Sequence, residues 1–297
     1  EMIIANFEVE LFEIALKRFL AAHGAAKNQI SGILYCTEMY TPYALSVAKI
    51  GQKIGLMTLQ IQTTNMFAMY EPNYIHCDYF IFSTKKLLKS FVEKYPERAH
   101  KVLFLGNYQY PLIQRQKNLN IEDRIKKVVY FTQPVTDEDI EQEIISKLCL
   151  LSARLDFELY IKLHPRDNVS KVEKFLARCK LIEASKSFDE YMINTDLAVL
   201  KTSSIAANIV LSGVPVLYCL FSDWAKNGAL DYIDFDYFGT VTDIDMLENR
   251  ISYFSQITKS FDIYRKTYIA DCGLDTSLMD FFTSVDRLHY LHEQSSN

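Results

Sequence analysis

Short apolar runs alternate with amphipathic stretches along nearly the whole chain. The runs have the length of strands and end at turn-forming residues, whereas the stretches between them repeat apolar residues at helical spacing. Strands are predicted at 32–36, 56–61, 78–82, 102–105, 128–131, 157–163, 181–182, 196–200 and 214–220. Helices are predicted at 7–22, 42–54, 84–94, 137–155, 170–179, 188–192 and 202–213, followed by a mostly helical tail from about 241. This alternation predicts an α/β protein with parallel sheets.

One polar segment divides the pattern. Residues 109–124 contain Pro111 and several basic and amide side chains, and the strand–helix alternation restarts directly after them. We therefore expect two Rossmann-like domains whose parallel sheets face a cleft. The first covers residues 1–115, and the second covers 116–297 and includes the C-terminal helices. Because the chain enters helical periodicity almost at its first residue, the first domain is expected to be incomplete at its N-terminus.

Composition narrows the function. The net charge of -5 argues against a nucleic-acid binder, and no apolar run reaches the length of a membrane span. The six cysteines include no C-x-x-C pair, which indicates reduced thiols, a cytoplasmic protein and no zinc site. Neither a Walker-type loop nor a G-x-G-x-x-G motif is present, which disfavours ATPase and dinucleotide-binding functions.

The run Lys-Leu-His-Pro-Arg at 162–166 follows a predicted strand. Pro165 ends the strand and forces an extended turn. His164 then lies at the carboxyl end of the strand, where α/β sheets bind ligands, and Lys162 and Arg166 lie beside it. A histidine with two cations suits a phosphate or diphosphate. The alternative is an ordinary strand-terminating proline beside a surface histidine.

A second candidate anion site lies at 201–207, where a predicted strand runs into Thr202, Ser203 and Ser204 at the start of a helix. Free backbone N–H groups and the positive end of the helix dipole bind anions. The alternative is a simple helix N-cap, which needs the same residue types. Gln133 follows the first strand of the second domain and should reach the same sheet edge.

Taken together, these runs resemble a family. The second half resembles the nucleotide-binding domain of GT-B glycosyltransferases with cytidine-activated donors, such as bacterial sialyltransferases, polysialyltransferases and Kdo transferases. The matching runs lie at 129–134, 160–166, 196–204 and 212–216. The order of strands in the first half is similar to the acceptor domains of capsule and lipopolysaccharide transferases, and the resemblance covers about residues 30–225.

The resemblance implies an inverting glycosyltransferase that moves a sialic acid or Kdo-type sugar from a CMP-activated donor to a glycan or glycolipid acceptor. His164 would stabilise the leaving phosphate, and the residues binding the donor would be Gln133, Lys162, Pro165, Arg166, Thr202, Ser203 and Ser204. The CMP-sugar is a co-substrate, and the scheme requires no further cofactor and no metal. The expected location is the cytoplasm, and a peripheral association with the inner face of the membrane is an open alternative.

The general base departs from the family pattern. The sialyltransferase relatives carry an acidic D/E-D/E-G motif in the first domain, and this sequence has no such triplet. Glu38, directly after the predicted strand at 32–36, is the first candidate, and Glu71 is the second. The alternative for Glu38 is a carboxylate that stabilises the start of the following helix.

Two other functions stay open. A CDP-glycerol-type phosphotransferase shares the His-Pro signature, and a non-catalytic nucleotide-sugar-binding domain would explain the missing triplet. A UDP-sugar epimerase is disfavoured because its relatives carry Ser-Gly-Gly where this chain has Thr-Ser-Ser-Ile-Ala.

Overall fold

The computed structural model describes residues 14, 18, 33–36, 42–62, 75–106, 125–134, 138–201, 203, 205–222, 239–273 and 278–296. The chain divides into two compact units. The first comprises Glu1–Pro111 and Ala270–Asn297, and the second comprises Leu112–Ile269. Among the described residues, no helix is both long enough and apolar enough to cross a membrane.

The first unit contains a four-stranded parallel sheet in the order β1-β2-β3-β4. Its strands are β1 (Ile33–Cys36), β2 (Met57–Ile61), β3 (Tyr79–Ile81) and β4 (Val102–Leu103). Helix α1 (Pro42–Lys53) connects β1 to β2, and helix α2 (Lys85–Lys94) with a 3-10 helix (Pro96–Lys101) connects β3 to β4. The Thr84 hydroxyl caps α2 by accepting a hydrogen bond from the Leu87 N–H.

The C-terminal segment belongs to this first unit. Helix α8 (Leu278–Ser296) buries Phe281 and Val285 against Met57, Leu59 and Ile81 of the sheet. The carboxylate of Asp271 accepts a hydrogen bond from the Lys86 N–H at the start of α2 (2.7 Å). Residues 270–297 therefore belong to the first unit and not to the second, to which the sequence pattern assigned them. Sequence order did not indicate this, because the residues that cover the apolar face of β2 and β3 lie 200 or more positions away in the chain.

Glycine is required where this segment starts. Gly273 has a φ of +62°, and a Cβ at this position would lie 2.7 Å from the Phe104 ring. Both conditions disfavour other residues, which would need a shift of the Phe104 ring or of the backbone. The close approach seats the segment beside the end of β4.

The second unit contains a six-stranded sheet in the order β10-β9-β8-β5-β6-β7, with every pair parallel. Its strands are β5 (Lys127–Phe131), β6 (Glu158–Lys162), β7 (Lys180–Leu181), β8 (Leu197–Leu200), β9 (Val216–Cys219) and β10 (Thr240–Val241). Its helices are α3 (Glu138–Leu155), α4 (Phe188–Met192), α5 (Ile205–Leu211), α6 (Ile244–Ser252) and α7 (Phe254–Asp271), whose last two residues fall in the first unit.

Both faces of this sheet are covered. Successive side chains of a strand point to opposite faces, so Val128 and Tyr130 pack with α3 while Val129 and Phe131 pack with α5. From β5 the chain passes first to β6 and β7 on one side and then to β8, β9 and β10 on the other. This is the doubly wound Rossmann order.

Two local features differ from the sequence pattern. The predicted helix at 170–179 is instead a pair of 3-10 helices, Val169–Lys171 and Glu173–Phe175. Val172 and Phe175 are the buried residues of this segment, and their spacing of three suits a 3-10 turn. The edge strand β10, only two residues long, carried too little pattern to be predicted.

Candidate functional site

The candidate site lies at the carboxyl edge of the second sheet. Strands β5 and β8 are neighbours. The strands that follow β5 in the chain, β6 and β7, lie on one side of it, and β8 and its successors lie on the other. Ligands of doubly wound sheets bind outside the carboxyl ends of the strands at such a switch point. Gln133 follows β5, His164 follows β6 and Ser203 follows β8. The fold thus brings together the ends of the three strands that the sequence pattern singled out.

The residues after β6 form a tight turn, here called the His164 turn (residues 164–167). The Asp167 N–H donates to the His164 carbonyl (2.8 Å), and Pro165 at the second position favours such a turn. The His164 N–H donates to the Thr132 hydroxyl (2.9 Å). Pro165 and Arg166 are exposed, so the tip of the turn faces solvent while its base is anchored to β5.

The His164 ring has a defined protonation state. Its Nδ1 accepts a hydrogen bond from the Arg166 N–H (3.1 Å), which places the proton of the neutral ring on Nε2. Burial lowers the pKa of His164, as do the charges of Arg166 and Lys171, while Asp167 acts in the opposite direction. The ring is therefore neutral at pH 7 and offers one N–H donor from Nε2.

Lys162 has a different environment from the one its sequence position implied. Its ammonium donates to the Glu183 carbonyl (3.2 Å) and lies 5.2 Å from the centre of the Tyr191 ring. Burial lowers its pKa. The side chain thus points to the face of the sheet that carries α4, and its role in donor binding stays a prediction.

Beneath the His164 turn lie four buried charged side chains and one threonine hydroxyl. We call this set the Glu141 network (Thr132, Glu141, Asp167, Lys171 and Lys201). Glu141, on α3, is fully buried. Its Oε1 accepts from the Tyr130 hydroxyl (3.1 Å) and the Gln133 N–H (3.0 Å), and its Oε2 forms an ion pair with Lys171. Burial and the nearby Glu141 charge raise the pKa of Tyr130 well above its ordinary value.

The sequence pattern did not single out these residues. Glu141 occupies a helical position in line with Ile144, Ile145 and Leu148, which all pack into the core. A carboxylate on the apolar face of a helix was the available signal, because buried charges in proteins are almost always paired.

At the end of β8 the structure describes Ser203 but not its neighbours. The Ser203 carbonyl accepts from the Ala206 N–H (3.1 Å) at the start of α5, which has seven residues. Thr202 and Ser204 lie outside the described residues, and so do the base candidates Glu38 and Glu71. Their predicted roles stay predictions. Within the described part of the chain, no three His, Cys, Asp or Glu side chains are grouped so that they could hold a metal ion.

No protein-family model and no curated protein matches the chain. Solved structures do match it. A structure of accessory secretory proteins 1, 2 and 3 from Streptococcus pneumoniae is 12% identical (TM-score 0.55) and matches 96% of this chain, which spans 58% of that one. The S. aureus MnaA–UDP structure is 10% identical (TM-score 0.60), with 97% of this chain and 82% of that chain covered.

A third structure, of the wall teichoic acid polymerase TagF, is 12% identical (TM-score 0.54), with 89% of this chain and 74% of that chain covered. At these identities the matches establish the fold alone. Together with the two parallel sheets, they confirm the predicted α/β, GT-B-like fold class with two Rossmann-like domains.

Proposed function

We propose that this chain is a glycosyltransferase whose nucleotide-activated donor binds at the carboxyl edge of the second sheet. The observation that carries the proposal is the His164 turn beside the switch point of a doubly wound sheet, with a neutral ring that keeps one N–H for a ligand. A neutral donor suits a phosphate oxygen, since it forms a hydrogen bond without a change of protonation.

In the proposed reaction, an acceptor hydroxyl attacks the anomeric carbon of the donor sugar, and the bond from that carbon to the phosphate oxygen breaks. Negative charge develops on the phosphate as it leaves. His164 Nε2–H, Arg166 and the hydroxyl groups of 202–204 would stabilise that charge. A general base takes the proton of the acceptor hydroxyl.

The base is proposed to be Glu38, with Glu71 as the second candidate. The described carboxylates beneath the candidate site of the second sheet are not suited to act as the general base. Glu141 is fully buried in its ion pair with Lys171, and Asp167 accepts from both Thr132 (2.5 Å) and Lys171 (3.0 Å). A carboxylate that is buried in an ion pair is poorly placed to take a proton from an acceptor hydroxyl, so a carboxylate of the first unit remains the better candidate.

The donor is proposed to be a CMP-activated sialic acid or Kdo-type sugar, and the acceptor a glycan or glycolipid of a surface polysaccharide or lipooligosaccharide. The His-Pro run supports a cytidine nucleotide through its family resemblance. The MnaA structure contains UDP, and one TagF structure was soaked with CDPG, so this fold accommodates pyrimidine nucleotides in those proteins. Action at the inner face of the membrane is part of the same proposal.

A second candidate function is a CDP-glycerol-type phosphotransferase, favoured by the likeness to the TagF polymerase. There an acceptor hydroxyl would attack the glycerol-bearing phosphorus of CDP-glycerol, the bond from that phosphorus to the bridging oxygen would break, and CMP would leave. A putative UDP-N-acetylglucosamine 2-epimerase from Listeria monocytogenes has this fold too, so donor identity must come from experiment.

The test is a thermal-shift screen of CMP, CDP, UDP and GDP on the full chain. A nucleotide at 100 times its Kd stabilises the protein by about 2.7 kcal/mol. We expect CMP or CDP to raise the Tm, and His164→Ala to abolish the shift. The matched control is His100→Ala, an exposed histidine of the first unit, which should keep it.

A transfer assay then separates the candidates. CMP-sialic acid and CMP-Kdo should act as donors if the first proposal holds, whereas turnover with CDP-glycerol alone would support the phosphotransferase. A shift with UDP only would contradict the cytidine proposal. Nucleotide binding without any turnover would identify a non-catalytic binding domain.

A further inference from the structure

A continuous set of contacts runs beneath the candidate site from β6 to β8. The Thr132 hydroxyl accepts from the His164 N–H (2.9 Å) and donates to Asp167 Oδ2 (2.5 Å). Asp167 Oδ1 accepts from the Lys171 ammonium (3.0 Å). Lys171 pairs with Glu141, whose other carboxylate oxygen lies 3.8 Å from the ammonium of Lys201. Lys201 is the residue directly after β8.

The Lys171 ammonium is fully committed to this network. It donates to the Gln133 carbonyl (2.7 Å) and to Asp167 Oδ1 (3.0 Å), and it forms an ion pair with Glu141. Its side chain is only 12% exposed. The Lys171 ammonium thus binds both Gln133, which follows β5, and Asp167 of the His164 turn, which follows β6.

The charges of the network balance. Glu141 and Asp167 are two carboxylates, and Lys171 and Lys201 are two ammonium groups, all with side chains 12% exposed or less. Buried ion pairs are costly to desolvate, and apolar residues of similar volume often replace them without loss of stability. Such a set of charges directly under three strand ends therefore calls for a reason other than stability.

We propose that the Glu141 network positions the donor site. Thr132 and Asp167 fix the His164 turn, Lys171 ties that turn to β5, and Glu141 links both to the end of β8. These are positioning residues, since they act through His164 and through the segment that holds Ser203. The proposal deepens the proposed function and rests on it for the identity of the ligand.

Thr132 offers the sharpest test, because Val has the same shape without the hydroxyl. Thr132→Val removes the acceptor of the His164 N–H and the donor to Asp167 together, whereas Thr132→Ser keeps both. The first readout is the ¹⁵N chemical shifts of the His164 ring in the nucleotide-free protein at pH 7. These shifts report which ring nitrogen carries the proton, and a purely structural threonine would not affect them.

We expect the wild type and Thr132→Ser to have His164 protonated on Nε2 alone. Thr132→Val should show a mixture of the two tautomers, because a loosened turn no longer aims the Arg166 N–H at Nδ1. The second readout is the Kd for CMP. We expect Thr132→Val to bind CMP about 10- to 100-fold more weakly, which corresponds to the loss of one hydrogen bond from the His164 ring to a charged phosphate.

Glu141→Gln tests the hub of the network. The amide keeps the size of the side chain but presents N–H groups to Lys171, so CMP binding should weaken as in Thr132→Val. Glu143→Gln, at an exposed position of the same helix, is the matched control and should bind CMP like the wild type. If Glu141→Gln does not fold, Glu141→Gln/Lys171→Met restores the charge balance, and we expect the folded double variant to bind CMP weakly as well.

Three outcomes are decisive. A folded Thr132→Val with the wild-type tautomer and wild-type CMP affinity would overturn the proposal, and so would a Glu141→Gln or double variant with wild-type affinity. An altered tautomer in a protein whose wild type does not bind CMP would support the positioning of His164 and contradict the nucleotide assignment. Failure of the positioning proposal and failure of the proposed function therefore give different results.

Discussion

At the carboxyl edges of both sheets, the residue after one strand forms hydrogen bonds to the neighbouring strand and to the segment after it. The two edges differ in the charges of the side chains that support these bonds. After β2, the Gln62 N–H donates to the Ile81 carbonyl at the end of the neighbouring strand, and its side-chain Oε1 accepts from the Ser83 N–H (2.8 Å). After β5, the Thr132 N–H donates to the Lys162 carbonyl, and its hydroxyl accepts from the His164 N–H. In each case the residue after one strand holds the residue just after the next.

The difference lies in the charges. At the first edge the strands are joined by neutral groups, since the Ser83 hydroxyl donates to the Gln62 amide oxygen (2.9 Å). The second edge is supported by two buried carboxylates and two buried ammonium groups. A neutral pair is enough to join two strands, so the charged network beneath the His164 turn indicates an additional task. That task, in our interpretation, is to hold a phosphate-binding histidine in place.

The largest expected effect tests whether the first unit supplies the base. Glu38→Gln keeps the shape of the side chain and removes its basicity. General-base catalysis contributes roughly 10²–10⁴ in rate, so turnover should fall by about that factor while the Kd for CMP stays unchanged. Single-turnover kinetics with the CMP-sugar donor, together with CMP titration calorimetry, measure both quantities.

Glu71→Gln is the matched control for this experiment. A fully active Glu38→Gln with an inactive Glu71→Gln would show that Glu71 is the base. If both variants are fully active, the base lies elsewhere or the protein is not a transferase. Loss of stability of about 0.3–1 kcal/mol with little change in turnover would assign Glu38 to the start of the following helix.

Lys171→Met tests the charged edge. The variant leaves Glu141 and Asp167 without their shared cation, and breaking a buried pair in this way costs about 3–5 kcal/mol. We expect a large drop in the free energy of unfolding of the second unit. Amide hydrogen exchange of the His164 N–H during urea titration measures it at the site itself.

Lys174→Met is the matched control, because Lys174 is an exposed lysine of the neighbouring 3-10 helix. It should leave the exchange rate unchanged. A wild-type exchange rate in Lys171→Met would mean that the network contributes neither stability nor order to the His164 turn.

Gln62→Met tests the neutral edge, and its effect should be smaller. The Ser83 N–H and hydroxyl lose their shared acceptor, and each neutral hydrogen bond of this kind contributes about 0.5–1.5 kcal/mol. The measurement is amide exchange of the Ser83 N–H, compared with that of His164 in Lys171→Met. An effect as large as that of Lys171→Met would remove the distinction between the two edges.

The smallest effect concerns pH. Burial lowers the pKa of His76 in the first unit and of His164 in the second, and nearby cations add to the decrease in both. Between the native pKa and the unfolded value of about 6.5, the unfolded chain binds more protons. Stability therefore falls as the pH decreases through this window and changes no further, through these groups, below the native pKa.

NMR titration of the two rings compares the units directly. Both pKa values should lie below about 6.5 in the free protein. CMP should raise that of His164 alone, because a phosphate beside the ring favours the protonated form. An equal shift of both rings, or none at His164, would contradict the assignment of the nucleotide site to the second sheet.

The alternation of strands and helices, the parallel sheets and the position of His164 at a strand end could all be predicted from the sequence. These follow from local causes: the period of apolar residues fixes the type of element, and Pro165 ends β6. Because carboxyl ends of parallel strands share an edge, the strand ends carrying Gln133, His164 and Ser203 could also be placed together.

The network and the cover of the first sheet depend on contacts between distant segments of the chain. Thr132 and Asp167 are 35 residues apart, and Lys201 lies further along the chain, so their meeting depends on which strands are neighbours. The cover of β2 and β3 by α8 is likewise a contact of distant segments. Periodicity records which face of an element is apolar, but it does not record the partner of that face, and a buried charge such as Glu141 finds its partners only when the sheet is assembled.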